Sequence, residues 1–184
     1  YINYNTNAND IQGLTEGFMT SFSKNPLTDN GYGLAVDIGT TTIAGYIYKF
    51  PQCEKTKEAA VPNTQAVYGA DVISRIEFSN SGGLKKLQNC VIEQIEKIKQ
   101  GIAVEKCVIT GNTTMLHLLT ANDPSGIAVA PFEPKTLFGE WHENVYLPKC
   151  ISAYVGADMT CAILSSGILN DKTSFLVDIG TNGE

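Results

Sequence analysis

A near-duplicate constrains this sequence more than any other feature. Ala35-Val36-Asp37-Ile38-Gly39-Thr40-Thr41-Thr42 and Leu176-Val177-Asp178-Ile179-Gly180-Thr181-Asn182-Gly183 each run from apolar residues through one Asp and one Gly into hydroxyl or amide residues. An apolar strand ending in such a turn suits the phosphate tail of a nucleotide. Gly39 and Gly180 let the backbone approach an anion with no side chain in the way. The N–H groups and side chains of Thr40, Thr41, Thr42, Thr181, Asn182 and Gly183 can then donate to its oxygens. A carboxylate beside the turn would repel phosphate unless a cation lay between them, so Asp37 and Asp178 imply Mg2+, held partly through water. Either copy alone reads as an ordinary strand-end turn. Two copies, separated by enough chain for a whole subdomain, read as halves that converge on one ligand.

The order of elements agrees. Leu34 to Ile38 reads as a buried strand and Ile43 to Tyr48 as a second, with Gly39 to Thr41 as the turn between them and a third strand around Glu58 to Val61. Val72, Ile73 and Ile76 then mark one face of a helix from about Tyr68 to Phe78, with Asp71 and Arg75 spaced to pair on the other face. Ser81-Gly82-Gly83 breaks it. Leu84, Leu87, Val91, Ile92, Ile95 and Ile98 form a longer apolar stripe opposite Lys85, Lys86, Glu93 and Lys97, ended by Gly101. The pattern next predicts a strand over Val104 to Thr110, a short helix capped by Asn112 or Thr113 and running through Leu119, and a Pro-rich connection from Asp123 to Thr136. Strand, helix and strand follow at Ile151 to Val155, Ala157 to Leu169 and Ser174 to Ile179. Three strands followed by strand and helix alternation is the order of an α/β, ribonuclease-H-like lobe, a mixed β-sheet with helices on both faces. Tyr1 to Asn30, rich in Asn, Thr and Ser, reads as a linker with a possible short helix. Tyr1 is not a Met, and Glu184 follows directly on a Gly-rich turn, so the sequence reads as a fragment.

With 184 residues and 43% hydrophobic composition the chain can bury one sizeable core. Its net charge of -6 and pI near 4.9 argue against a nucleic-acid or membrane-surface binder, which would need clustered Lys and Arg. The apolar runs are too short for a membrane span and the N-terminus lacks a secretory pattern, which makes a cytoplasmic location the default. Cys53, Cys90, Cys107, Cys150 and Cys161 are scattered without a Cys-x-x-Cys pair, so neither a zinc site nor an iron–sulfur cluster is expected within this chain. Cys107 and Cys161 sit in apolar runs and read as buried reduced thiols. His117, among Met115, Leu116, Leu118 and Leu119, reads as a packed helix residue. Trp141, with Phe138 and His142, reads either as a contact surface or as a satellite cluster under a loop.

The two Asp-x-Gly-Thr motifs resemble the phosphate motifs of the superfamily that contains actin, acetate and sugar kinases and the heat-shock ATPases. Closer details are Tyr68-Gly69-Ala70-Asp71-Val72-Ile73-Ser74-Arg75-Ile76, Gly111-Asn112-Thr113-Thr114-Met115, Ala130-Pro131-Phe132, Tyr154-Val155-Gly156-Ala157-Asp158 and Asp178-Ile179-Gly180-Thr181-Asn182-Gly183-Glu184. Over roughly Gly33 to Glu184 the chain resembles the reductive activators of corrinoid proteins. The resemblance implies an actin-like ATPase lobe over residues 31–184, truncated just after the second phosphate motif, that binds ATP and Mg2+. It also implies a 2Fe-2S domain, expected only in a missing N-terminal region, and a corrinoid protein as partner, reduced from Co(II) to Co(I). A homodimer is a further possible assembly. Alone, the chain is expected to be inactive.

Kinase-like members of the superfamily place a water-orienting acid or amide near Asp158, which follows a strand and opens a helix. A carboxylate that merely complements the helix dipole fits that position equally well. Asn112 and Thr113 could reach a substrate or partner, although a helix cap is the simpler reading. Two other functions share the motifs: a small-molecule kinase of the acetate or sugar type, and a non-catalytic docking or dimerisation scaffold.

Overall fold

The computed structural model describes residues 30–170 and 173–178. The expected linker lies outside them except for Asn30, as do Ile179 and the rest of the second phosphate motif after it.

Strands β1 (Tyr32–Ile38), β2 (Thr42–Lys49) and β3 (Glu54–Pro62) form an antiparallel meander. β1 alternates as the motif requires. Leu34, Val36 and Ile38 are buried on one face and Asp37 points from the other. Asp71 opens helix α1 (Val72–Phe78) with a capping box, its side chain accepting from the Ser74 N–H at 2.8 Å while Ser74 Oγ accepts from the Asp71 N–H. The chain kinks at Gly82 (φ 90°), as the Ser81-Gly82-Gly83 break predicts, and continues into α2 (Leu84–Lys99). Leu87, Val91, Ile95 and Ile98 of α2 are buried against the sheet, each such burial contributing about 1.5–3 kcal/mol.

β4 (Lys106–Gly111) lies parallel to β1 and leads into α3 (Thr113–Thr120), which is buried from Thr113 through Leu118. A single turn of helix, α4 (Ser125–Ala128), follows. The hairpin β5 (Glu140–His142) and β6 (Val145–Leu147) completes a six-stranded mixed sheet of order β3-β2-β1-β4-β6-β5, with β6 parallel to β4. Helix α5 (Ala157–Ser166) ends at Gly167 (φ 69°). This is the expected ribonuclease-H-like lobe.

Four expectations change. The fifth strand position is taken by Val145–Leu147 and not by Ile151 to Val155. The latter segment closes on itself: the Ile151 and Ser152 N–H groups both donate to the Val155 carbonyl, and Ser152 Oγ accepts from the Tyr154 and Val155 N–H groups. With those groups spent locally, no ladder can form. Residues 174–178 likewise belong to no strand, and Phe175 (90% exposed) and Val177 (49% exposed) find no core among the described residues. Ile73 and Ile92, expected on apolar stripes, are exposed, the buried faces of their helices being completed by Arg75 and Gln94 instead. Arg75 does not pair with Asp71 on the surface. It is fully buried.

Candidate functional site

The parallel register of β1 and β4 sets Asp37 opposite Thr110 and brings the Gly39–Thr42 turn beside Gly111 and Asn112. The start of α5 closes on both. A Cβ at Gly156 would lie 2.4 Å from Asn112 Cα and 2.8 Å from the Gly111 carbonyl, so only a glycine lets that turn pass so close. The close pass sets Asp158, in the first turn of α5, where its charge and that of Asp37 share one mouth. Asp178 acts on both carboxylates as a like charge.

The electrostatics follow. Crowding by the surrounding walls, then the charges of Asp158 and Asp178, push the Asp37 carboxyl up to about 6 from an ordinary 3.8. The side chain still meets solvent on its open side, so the walls shift it without sealing it. Burial also raises Asp158, with Asp178 adding to it; the Met159 N–H, donating to Asp158 Oδ1 at 2.9 Å, works the other way. Among the described residues no three His, Cys, Asp or Glu side chains come together closely enough to hold a metal by themselves. A cation here would therefore have to complete its shell with water and ligand oxygens, as Mg2+ readily does.

The turn itself is turned inside out with respect to the protein. Its carbonyls all accept from protein donors: Gly39 from Asn63 Nδ2 at 2.9 Å, Thr40 from Arg75 Nη2 at 2.6 Å, Thr41 from the Asn63 N–H at 2.8 Å and Thr42 from the Gly39 N–H at 2.9 Å. No acceptor among the described residues takes the N–H of Thr40 or Thr41. Gly39 is needed for the turn's own closure as well as for an approaching ligand, since a Cβ there would sit 2.8 Å from the Thr42 carbonyl. Thr40 is buried and its Oγ1 accepts from Asn112 Nδ2 at 3.4 Å, whereas Thr41 and Thr42 are exposed.

Asn112 is the cap of α3, its Oδ1 accepting from the Met115 N–H at 3.0 Å, and it also reaches Thr40. Thr113 is turned away to the Ser152 carbonyl at 2.6 Å. His117 is buried, with Nδ1–H donating to the Thr113 carbonyl at 2.7 Å and its ring edge-on to Phe138 at 5.1 Å; burial lowers its pKa, so it is a neutral packing residue. Trp141 packs on Tyr146 of the hairpin, with Lys106 Nζ over its ring. Burial pushes the Cys107 thiol up to about 12 and Cys150 up to about 11, while Cys161 is only half-buried. Gly180, Thr181, Asn182 and Gly183 lie outside the described residues.

Asn63, Gln65, Arg75 and Gly156 were not among the expected site residues. Arg75 carried one readable signal: with Val72, Ile76 and Ser79 it completes the i, i+3, i+4, i+7 spacing of a buried helical face.

A six-stranded mixed sheet of this order, flanked by helices and carrying a donor-rich turn after β1, defines a ribonuclease-H-like lobe. The comparisons place it more closely. The family described as "RACo middle region" matches residues 32–171, and the chain belongs to that family. It is 31% identical over 177 residues to the "Corrinoid activation enzyme RamQ" of Eubacterium limosum, covering 83% of this chain and 30% of that protein. It is also similar to the solved "Reductive activator for corrinoid,iron-sulfur protein", with a TM-score of 0.78 at 32% identity, over 86% of this chain and 29% of that one. The chain thus spans about a third of the relatives it matches. Among the described residues no helix is long and apolar enough to cross a membrane.

Proposed function

We propose that this chain is the first lobe of an ATPase domain, from about residue 31 onward and preceded by a linker, in a cytoplasmic protein that reactivates a corrinoid partner. The observation that carries the reading is the Gly39–Thr42 turn, whose carbonyls face inward to protein donors while Asp37, Asp158 and Asp178 stand at its mouth. Unsatisfied N–H groups favour an anion, and crowded carboxylates favour a cation; Mg2+ bound to ATP answers both. The names of the two relatives direct the reading to corrinoid reduction.

Thr40 and Thr41 offer backbone N–H groups to the terminal phosphates, with Thr42, Gly180, Thr181, Asn182 and Gly183 completing the cradle. Asp37 and Asp178 balance the cation, in part through water. Asp158 orients the attacking water, which its position across the mouth from Asp37 suits. Mg2+ supplies charge neutralisation at the phosphates. ATP use biases the protein toward a state in which one electron passes from a reduced 2Fe-2S cluster, held outside this chain, to Co(II) of the partner, giving Co(I) and the oxidised cluster.

The test is the full-length protein with ATP, a reductant and a partner loaded with cob(II)alamin, followed spectroscopically. ATP-dependent appearance of Co(I) is expected; equal reduction with and without ATP would refute the proposal.

A further inference from the structure

Beneath the turn lies a buried polar network that the proposed chemistry does not use. Arg75 is fully buried, yet no carboxylate of the described residues is within ion-pair distance of it. Its guanidinium spends its donors on the Gly69 carbonyl at 2.9 Å, Gln65 Oε1 at 3.3 Å, Met115 sulfur at 3.5 Å and the Thr40 carbonyl at 2.6 Å. Gln65 is buried and tied to Asn63, whose Oδ1 accepts from the Gln65 N–H at 3.1 Å. Asn63 in turn holds the Gly39 carbonyl through Nδ2 and the Thr41 carbonyl through its own N–H.

Burying a cation without a counter-charge is costly. A purely structural role would be served as well by an apolar side chain. The geometry assigns Arg75 and Asn63 a positioning role: they orient the peptide groups of the turn so that its N–H donors face the phosphates. A trans peptide is planar, with its N–H opposite its C=O. The Thr40 carbonyl and the Thr41 N–H are two ends of one such group, so fixing the oxygen on Arg75 aims the N–H the other way. The Gly39 carbonyl on Asn63 does the same for the Thr40 N–H. A charge-assisted bond to the carbonyl also polarises its peptide, which strengthens the donor at the far end.

The inference rests on the phosphate reading of the turn, and its test separates the two. The affinities of full-length protein for Mg·ATP and for adenosine are compared in the wild type, Arg75→Met and Asn63→Asp. Met keeps volume without the donors; Asp keeps the acceptor for Gln65 but loses the donor to Gly39. Each variant is expected to bind Mg·ATP about ten-fold or more weakly, from the loss of one charge-assisted or buried contact, with adenosine affinity unchanged. Arg75→Lys, which retains charge and one donor, is expected to recover part of the loss. If both ligands weaken in parallel, or Mg·ATP binding is unchanged in both variants, the positioning role is overturned. A wild type that binds adenosine as well as Mg·ATP would overturn the phosphate reading first. Should Arg75→Met fail to fold, Asn63→Asp decides alone.

Discussion

Asp37 and Thr110 stand opposite each other in the parallel ladder of β1 and β4, on the face away from α2. The Thr110 hydroxyl is buried with no hydrogen-bond partner of ordinary geometry among the described residues, and it lies near enough to the Cys161 thiol to moderate the rise that burial gives that thiol's pKa. A carboxyl raised to about 6 on this face is what the ligand site proposed above would use.

That arrangement gives a stability signature. Because Asp37 holds its proton more tightly when folded, the folded chain carries more protons than the unfolded one between pH 3.8 and about 6. Its contribution is therefore full at low pH and is lost as pH rises through about 6. In full-length protein without nucleotide or Mg2+, Asp37→Asn is expected to be more stable than wild type at pH 8, by at most about 1 kcal/mol once solvent on the open side is allowed for. The gain should shrink toward pH 4. Denaturant melts at the two pH values check it, and an Asn variant less stable at pH 8 would contradict it.

Ligand binding should carry the opposite pH dependence. A cation at the mouth needs Asp37 ionised, so Mg·ATP affinity is expected to rise as pH increases through about 6 and to level off above it. Calorimetric titration from pH 5 to pH 8 measures this, with Asp37→Asn expected to flatten the profile as well as weaken binding.

For Asp158 the water-orienting and helix-start readings now make distinct forecasts. Gly156 is the N-cap of α5, so Asp158 is not the capping residue and its replacement leaves the cap intact. Asp158→Asn is expected to lower ATP turnover by about 100-fold while leaving ATP affinity near wild type, because a water-orienting group acts on the transition state. Unchanged turnover would leave only an interaction with the helix dipole.

Gly156→Ala tests the join between the β4 end and α5. The added methyl would meet Asn112 Cα at 2.4 Å, and backbone cannot swing aside as a side chain can. A loss of about 1–3 kcal/mol is expected in urea melts. Turnover should fall with it, since α5 carries Asp158 away from Asp37 when it moves.

Much of this was legible in the residues. The apolar run Leu34 to Ile38 announced the first strand and the Asp it delivers to the turn, and Leu87, Val91, Ile95 and Ile98 announced the long helix packed on the sheet. The hairpin at Glu140–Leu147 was hidden, because its strands of three residues are too short for a period to show, while the apolar run Ile151 to Val155 mimicked the strand it replaces. Asp71 and Arg75 were read from spacing as a surface pair; capping drew one to the helix start and the unpaired carbonyls of a distant turn drew the other into the core.

The amino-acid sequence by itself determined the strand-turn motif, the order of strands and helices from β1 through α3, and the residue types able to meet a phosphate and its cation. Periodicity and turn chemistry are local properties, and they survive being read without coordinates. Only the tertiary structure decided which backbone oxygens of the turn would be held, and by what. The Thr40 carbonyl is taken by an arginine 35 positions along the chain and the Gly39 carbonyl by an asparagine 24 positions along, contacts that exist because β3 and α1 fold back beneath the turn.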